Sequence, residues 1–113
     1  MKISSLDQAR QQEVSHNPII KKRTLVKKGE IDHLTNFSEA IFPPGEIAYA
    51  HRHDDMTEVF FIQSGTGLIN VDNQSIVLRQ GMCITIEPNE SHELKNTGTT
   101  NLVVMYFGVT SNH

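Results

Sequence analysis

Four residues of metal-ligating types lie at spacings that a strand protein can use together. His51 and His53 are two positions apart, and residues i and i+2 of a β-strand project from the same face. Glu58 follows the four-residue link 54–57, and a hairpin at this link would bring the carboxylate beside the two imidazoles. His92 follows a later turn and would approach from a third strand. Three imidazole nitrogens and one carboxylate oxygen suit divalent Fe, Mn, Ni, Zn or Cu, and suit Ca²⁺ or Mg²⁺ poorly.

Each of these residues also has an ordinary structural explanation. An isolated histidine is usually a surface or hydrogen-bonded side chain, and we interpret His16, His33 and His113 in that way. A pair of histidines two positions apart also occurs on exposed strands, and Glu58 alone would be a solvent-facing charge. The residues around the four therefore decide between a metal site and unconnected polar side chains.

The N-terminal region carries the only helix signal. Ser5 followed by Gln8 has the form of a capping box, which predicts a short helix over about 5–13. Asn17-Pro18 ends it, because the residue before a proline disfavours helical backbone. We expect the chain beyond this point to form strands.

From Ile19 onward, short apolar and β-branched runs alternate with turns at intervals of about 8–12 residues, which is typical of an all-β sandwich or barrel. The residues 72–74, Asp-Asn-Gln, suit a tight hairpin between two such runs. The predicted fold is all-β with a short N-terminal helical or extended segment. We divide this single domain into an N-terminal segment with edge strands (1–36) and a barrel (37–113).

The spacing of glycines around the candidate ligands points to a known family. The first signature motif of the cupin superfamily is matched position for position by Gly45-x5-His51-x-His53-x4-Glu58-x6-Gly65. Four later residues resemble the second motif, namely Gly81, Pro88, His92 and Asn96. The proline stands one place late and Asn89 replaces a glycine, but Asn tolerates left-handed backbone better than other non-glycine residues. Residues 37–109 therefore resemble a small single-domain cupin.

This resemblance implies a double-stranded β-helix, the RmlC-like jelly-roll barrel, with a metal at its open end. The implied ligands of one divalent transition metal per chain (Fe, Mn, Ni, Zn or Cu) are His51, His53, Glu58 and His92. The motif glycines keep turn roles, and Asn96 orders a turn rather than binding metal. Small cupins resemble one another in forming homodimers, and the apolar pairs 19–20 and 25–26 are expected to add to a partner's sheet.

Strand alternation extends the prediction from the metal to a pocket. If the ligands point inward, the same alternation turns four further side chains inward, which we take as the substrate-pocket candidates: Ile47, Tyr49, Phe60 and Ile62. Tyr49 would offer a hydroxyl. The alternative for Tyr49 and Phe60 is ordinary barrel core. On the same alternation Arg52 faces outward.

Composition limits the other classes of protein. The chain has 113 residues, 37% hydrophobic and 20% charged, which argues for one folded domain and against disorder. Its one cysteine, Cys83, has no intrachain disulfide partner and is expected to be a small buried hydrophobe. No apolar run approaches the ~20 residues of a membrane span, and residues 1–14 do not resemble a signal peptide. We therefore expect a cytoplasmic protein that is not bound to a membrane.

Charge is uneven along the chain, with net +3 in residues 1–33 and net −6 in residues 34–113. A basic cluster could contact phosphate: Lys21, Lys22, Arg23, Lys27 and Lys28. It has no interleaved aromatic residues, and the acidic remainder would repel a polyanion, so nucleic-acid binding is not expected. We interpret the cluster as a solvated edge strand whose lysines discourage aggregation.

Two function classes follow from the resemblance. The first is a metalloenzyme, similar to dioxygenases or isomerases, acting on a small polar metabolite or sugar. The second is a non-catalytic protein that binds or senses a sugar or metabolite. The fold does not choose between them, and no catalytic residue beyond the ligands is assigned.

Overall fold

The computed structural model describes residues 1–15 and 17–111, so the interpretations of His16 and His113 lie outside the described residues. This part of the chain forms ten strands and no helix, and hence no helix that could span a membrane. The strands are β1 (Gln11–Val14), β2 (Asn17–Val26), β3 (Leu34–Phe42), β4 (Ile47–His51), β5 (Met56–Ser64), β6 (Gly67–Val71), β7 (Gln74–Leu78), β8 (Cys83–Ile86), β9 (His92–Asn96) and β10 (Leu102–Thr110).

The strands form two antiparallel sheets that enclose one core. The six-stranded sheet has the order β1-β2-β3-β10-β5-β8, and the four-stranded sheet has the order β4-β9-β6-β7. Both sheets contribute fully or almost fully buried aliphatic side chains, among them Ile20, Ile62, Ile69, Leu78, Leu94 and Leu102. Burying each such side chain contributes about 1.5–3 kcal/mol. The predicted all-β jelly-roll barrel is confirmed.

The hairpin between β6 and β7 forms where the sequence predicts it. Val71 pairs with Gln74, which leaves a two-residue loop of Asp72 and Asn73. Both loop residues have positive φ, 46° and 69°. Two consecutive positive φ values define the type I′ turn that matches the twist of paired strands.

The N-terminal helix predicted over 5–13 is wrong. One turn forms, in which the Gln8 amide donates to the Ser5 hydroxyl at 3.3 Å, and residues 11–14 then pair with β2 as strand β1. A helix of this length gains few hydrogen bonds against the cost of its first turn, whereas pairing satisfies the same backbone groups along an existing strand. Because β1 covers β2, the interpretation of the basic cluster as an edge strand is also wrong.

The prediction that Cys83 is buried is wrong as well. Cys83 is exposed at the start of β8, an edge strand of the six-stranded sheet. Ile84 and Ile86 pack on the core from the alternate positions of this strand, so the period of two turns Cys83 outward. Arg52 is exposed, as expected.

The turn residues of the two motifs have the predicted backbone. Gly65 has φ 88°, and a Cβ at this position would lie 2.5 Å from the Asn101 carbonyl oxygen, so a side chain does not fit. Asn89 has φ 72°, the left-handed conformation expected of a residue that replaces glycine. Asn96 is 1% exposed and donates to the Phe42 and Thr100 carbonyl oxygens, both at 2.8 Å. Asn96 therefore orders the fold.

Candidate metal centre

The four candidate ligands come from both sheets and meet at one end of the barrel. His51 is the last residue of β4 and His92 is the first of β9, and the two stand opposite each other in the β4–β9 ladder. Glu58 lies on β5 of the other sheet, and His53 lies in the loop that crosses between the sheets. The link 54–57 is therefore not a hairpin between paired strands. Glu58 reaches the histidines across the barrel, by a route that the sequence did not indicate.

The ligand atoms are close enough to share one ion. One nitrogen or oxygen from each of His51, His53, Glu58 and His92 lies within 4.8 Å of the others. The Glu58 Oε1 atom is 3.1 Å from His92 Nε2 and 3.5 Å from His53 Nε2. An ion with bonds of about 2.0–2.2 Å separates its ligands by roughly 3–4.3 Å. The spacing of the four side chains is therefore compatible with one shared ion.

Backbone carbonyls orient two of the imidazoles. Nδ1 of His51 lies 2.9 Å from the Tyr49 oxygen, and Nδ1 of His92 lies 3.1 Å from the Glu90 oxygen. Because a carbonyl only accepts hydrogen bonds, Nδ1 carries the proton in both neutral rings and Nε2 keeps its lone pair. Metal-ligating histidines are typically held in this way.

Two of the converging atoms are buried without a hydrogen-bond partner. Glu58 Oε1 and His92 Nε2 are shielded from solvent and make no hydrogen bond within the described part of the chain, although they are 3.1 Å apart. Leaving a buried polar atom unpaired costs about 1–3 kcal/mol. A cation between them would satisfy both. The residues present therefore fit a divalent transition metal.

The protonation of His92 depends on the same neighbours. Burial lowers the pKa of His92. This effect is outweighed by the hydrogen bond that a protonated Nε2 donates to Glu58, by the hydrogen bond to the Glu90 carbonyl and by the charges of the Glu58 and Glu90 carboxylates. The net pKa is raised above the ordinary 6.5. In the absence of a metal, a proton on His92 is therefore stabilised by the Glu58 carboxylate.

The turn before β9 also holds the loop that carries His53. The Asn89 amide donates to the His53 carbonyl oxygen at 2.6 Å. The left-handed backbone of Asn89 thus fixes the loop position of one ligand next to the strand that begins with another. The altered second motif keeps a structural role at the site.

A cavity of about 230 Å³ extends from the ligands into the barrel. Of the four predicted pocket residues, Phe60 lines this cavity, whereas Ile62 is fully buried in the core outside the lining. Ile47 and Tyr49 do not line it either, and Tyr49 is 57% exposed. The structure thus brings one of the four to the ligands.

A β-bulge explains where Ile47 and Tyr49 lie. Ala48 pairs with Leu94 and His51 pairs with His92, so three steps along β4 match two steps along β9. The extra residue shifts the alternation by one. Ala48 lines the cavity, and its neighbours on either side turn away from it.

Four polar residues of the cavity were not among the sequence candidates, namely Ser15, Lys22, Asn36 and Tyr106. The Tyr106 ring stacks on Phe60 with centroids 5.8 Å apart. Burial raises the pKa of Tyr106 to about 12, partly opposed by a hydrogen bond with Ser38 and supported by the charge of Glu58. Tyr106 is therefore a neutral phenol at physiological pH. The sequence could have placed Tyr106 on the inward face, because it alternates along β10 with the apolar residues Leu102 and Val104, both of which are buried.

Comparison with known families agrees with the site and the fold. The Cupin domain family matches residues 38–108, more than half of the chain. The chain belongs to the cupin family. The motif resemblance is thereby confirmed for a single small cupin domain.

Two curated relatives match part of this cupin. It is 31% identical over 70 residues to an uncharacterized protein of Methanocaldococcus jannaschii, covering 62% of this chain and 56% of that protein. It is 29% identical over 66 residues to the oxalate-binding protein of Thermotoga maritima, covering 58% of this chain and 54% of that protein. The cupin thus spans about half the length of the curated relatives it matches.

A solved structure is similar over nearly the whole chain. The crystal structure of a predicted oxalate decarboxylase from Thermotoga maritima matches with a TM-score of 0.89 and 20% identity, over 97% of this chain and 99% of that one. At this identity the likeness shows the fold alone. Both sheets of the cupin barrel are included in it.

Proposed function

We propose that this cupin binds one divalent transition metal per chain (Fe, Mn, Ni, Zn or Cu) and is a metalloenzyme, dioxygenase- or isomerase-like, acting on a small polar metabolite. The proposed ligands are His51, His53, Glu58 and His92. The observation that carries the proposal is the convergence of their ligand atoms within 4.8 Å at the end of a cavity. The unpaired buried atoms of Glu58 and His92 support it.

The chain's own residues suit chemistry at such a centre. Three neutral imidazoles and one carboxylate leave a bound divalent ion with a net charge of about +1, and such an ion polarises an oxygen that it binds. Phe60 and Ala48 form apolar wall beside the ligands and limit water there. The neutral Tyr106 side chain is part of the cavity wall.

The cavity gives a first indication of the ligand. A partly open cavity of about 230 Å³ with both polar and apolar walls suits a small polar molecule. The name of the Thermotoga maritima relative, an oxalate-binding protein, supports a small acid as the ligand.

The second candidate is a non-catalytic binding or sensor protein. Besides the ligands, the described residues that line the cavity include two titratable side chains, Lys22 and Tyr106. A pKa of about 12 is far from the neutral value that suits a general acid or base. This observation favours binding without turnover.

We further propose that the protein is a cytoplasmic homodimer and that its barrel begins near residue 37. The family match over 38–108 supports that boundary. The exposed edge strands β1 and β8 support association with a second copy. Gel filtration at the mass of one chain would contradict the dimer.

Elemental analysis of protein purified without added metal tests the metal site. We expect about one transition metal per chain in the wild type and less than a tenth of that in Glu58→Gln, which keeps the shape of the side chain but removes its charge. His33→Asn is the matched control, because His33 lies outside the ligand group and Asn tolerates its φ of 70°. A wild type without metal contradicts the proposal.

A screen of short acids and sugars with the loaded protein separates the two candidates. Metal-dependent oxygen uptake or isomerisation of one of them supports the enzyme. Saturable binding of a short acid without turnover supports the binding protein.

A further inference from the structure

Lys22 projects into the barrel. On β2 the alternate positions are Ile20, which is fully buried, and Thr24, whose hydroxyl lies 2.9 Å from that of the fully buried Ser38. Lys22 stands between them and pairs with Ala40, a core residue that is 3% exposed. Lys22 therefore belongs to the inward face of β2, and it lines the same cavity as His51, His53 and Glu58.

The two neighbours of Lys22 face the other way and have partners. The Lys21 ammonium donates to the Pro18 carbonyl oxygen, and Arg23 forms an ion pair with Glu39 at 2.6 Å. Lys22 is half-buried as a residue, and residues 1–15 and 17–111 provide neither an ion pair nor a hydrogen bond for its ammonium. An anion in the cavity would give this charge a partner.

The cavity around Lys22 is electropositive once a metal is bound. Glu58 is the one acidic residue among the described residues that line it, and the metal more than neutralises that carboxylate. Lys22 adds a second positive charge from β2, which is separated from the Glu58 strand by β3 and β10. The two positive charges thus stand at different parts of one small cavity. A ligand with two separated acidic groups complements both.

We propose that Lys22 determines ligand specificity by pairing with the second acidic group of a small diacid whose first group faces the metal. The proposal rests on the proposed function, because it needs a loaded metal centre. The cavity of about 230 Å³ suits a small diacid. The nearby Asn36 and Tyr106 add neutral hydrogen-bonding groups to the wall.

The experiment compares diacids with monoacids of equal carbon number. Wild type, Lys22→Met and Lys21→Met are loaded with Mn²⁺, their metal content is measured, and malonate, succinate and glutarate are titrated against propionate, butyrate and valerate by calorimetry. Lys21→Met is the matched control, since it removes the adjacent lysine from the opposite face of the same strand. Lys22→Arg keeps the charge, and Lys22→Gln keeps a polar side chain without it.

We expect wild type, Lys21→Met and Lys22→Arg to bind the best diacid at least tenfold more tightly than its monoacid. Lys22→Met and Lys22→Gln are expected to bind the two with equal affinity at unchanged metal content. A diacid preference that survives in both neutral variants overturns the proposal, as does a loaded wild type without any preference. A wild type that takes up neither Mn²⁺ nor divalent Fe, Ni, Zn or Cu contradicts the proposed metal site instead.

Discussion

The two ends of the cavity are built differently. At the metal end, ligands from both sheets converge, Glu58 and His92 are nearly buried, and carbonyls of Tyr49 and Glu90 fix two imidazoles. At the other end, Lys22 comes from one strand and is half-buried. The metal end is therefore organised before any ligand arrives, whereas the Lys22 end gains its partner from the ligand. Affinity for the metal and choice of the ligand should respond to different substitutions.

The largest expected effect tests the organised end. A metal present at a hundredfold excess over its dissociation constant stabilises the folded protein by about 2.7 kcal/mol, which raises the melting temperature by roughly 10 °C. Glu58→Gln should abolish this increase, because the ion loses its one anionic ligand. Lys22→Met should keep it. Thermal unfolding with and without Mn²⁺ measures this increase in each variant. If Glu58→Gln and Lys22→Met lose it equally, metal binding and ligand choice do not depend on separate residues.

An effect of similar size, confined to alkaline pH, concerns Tyr106, which lines the same cavity. Its pKa in the folded protein is about 12, against an ordinary 10.0 after unfolding, so the folded state retains the proton over this range. Stability is therefore complete below pH 10 and falls as the pH rises from 10 to 12, by about 2–3 kcal/mol in all. Tyr106→Phe should lack this part of the loss.

Denaturant unfolding between pH 9 and 12 checks the Tyr106 prediction, together with absorbance at 295 nm. Tyr49→Phe serves as the control, because Tyr49 is exposed and outside the cavity. In Tyr49→Phe, Tyr106 is the one remaining tyrosine, so the absorbance change reports its titration alone. A midpoint near pH 10 would contradict the raised pKa of Tyr106.

The smallest expected effect concerns the turn that supports His53. Asn89→Ala places a β-carbon in left-handed backbone and should cost about 1–2 kcal/mol of unfolding free energy, with a severalfold loss of metal affinity. Asn89→Gly should preserve the turn and the affinity. If both variants lose metal equally, the Asn89 side chain acts at the site in a way that its backbone does not explain.

The four candidate ligands were predictable from the sequence because they match a family motif with fixed spacing. The strand geometry was not, because His53 lies in a loop after β4 and Glu58 comes from the other sheet. The pocket residues on β4 were not predictable by alternation. One extra residue between Ala48 and His51 reverses the face on which each earlier side chain of β4 lies. A bulge changes the register without a distinctive residue type, so alternation placed Tyr49 on the wrong face.

The N-terminal region was difficult for a different physical reason. The pattern of Ser5 and Gln8 forms its local hydrogen bond, but pairing with β2 takes the next residues into a strand. The position of Lys22 depends on another distant pairing, that of β2 with β3. The sequence of a basic cluster does not show which lysine faces inward. The pairing of Lys22 with the core residue Ala40 places Lys22 on the inward face and Lys21 on the opposite face.

The shortness of strand β1 has a consequence for exchange kinetics. Val14, at its end, walls the cavity near Lys22, and the pairing with β2 loses its regular register between Glu13 and Val14. A four-residue edge ladder with an irregular end opens at a smaller free-energy cost than the long central strands. Small molecules should therefore enter and leave past β1, at a rate set by how often this terminal ladder frays.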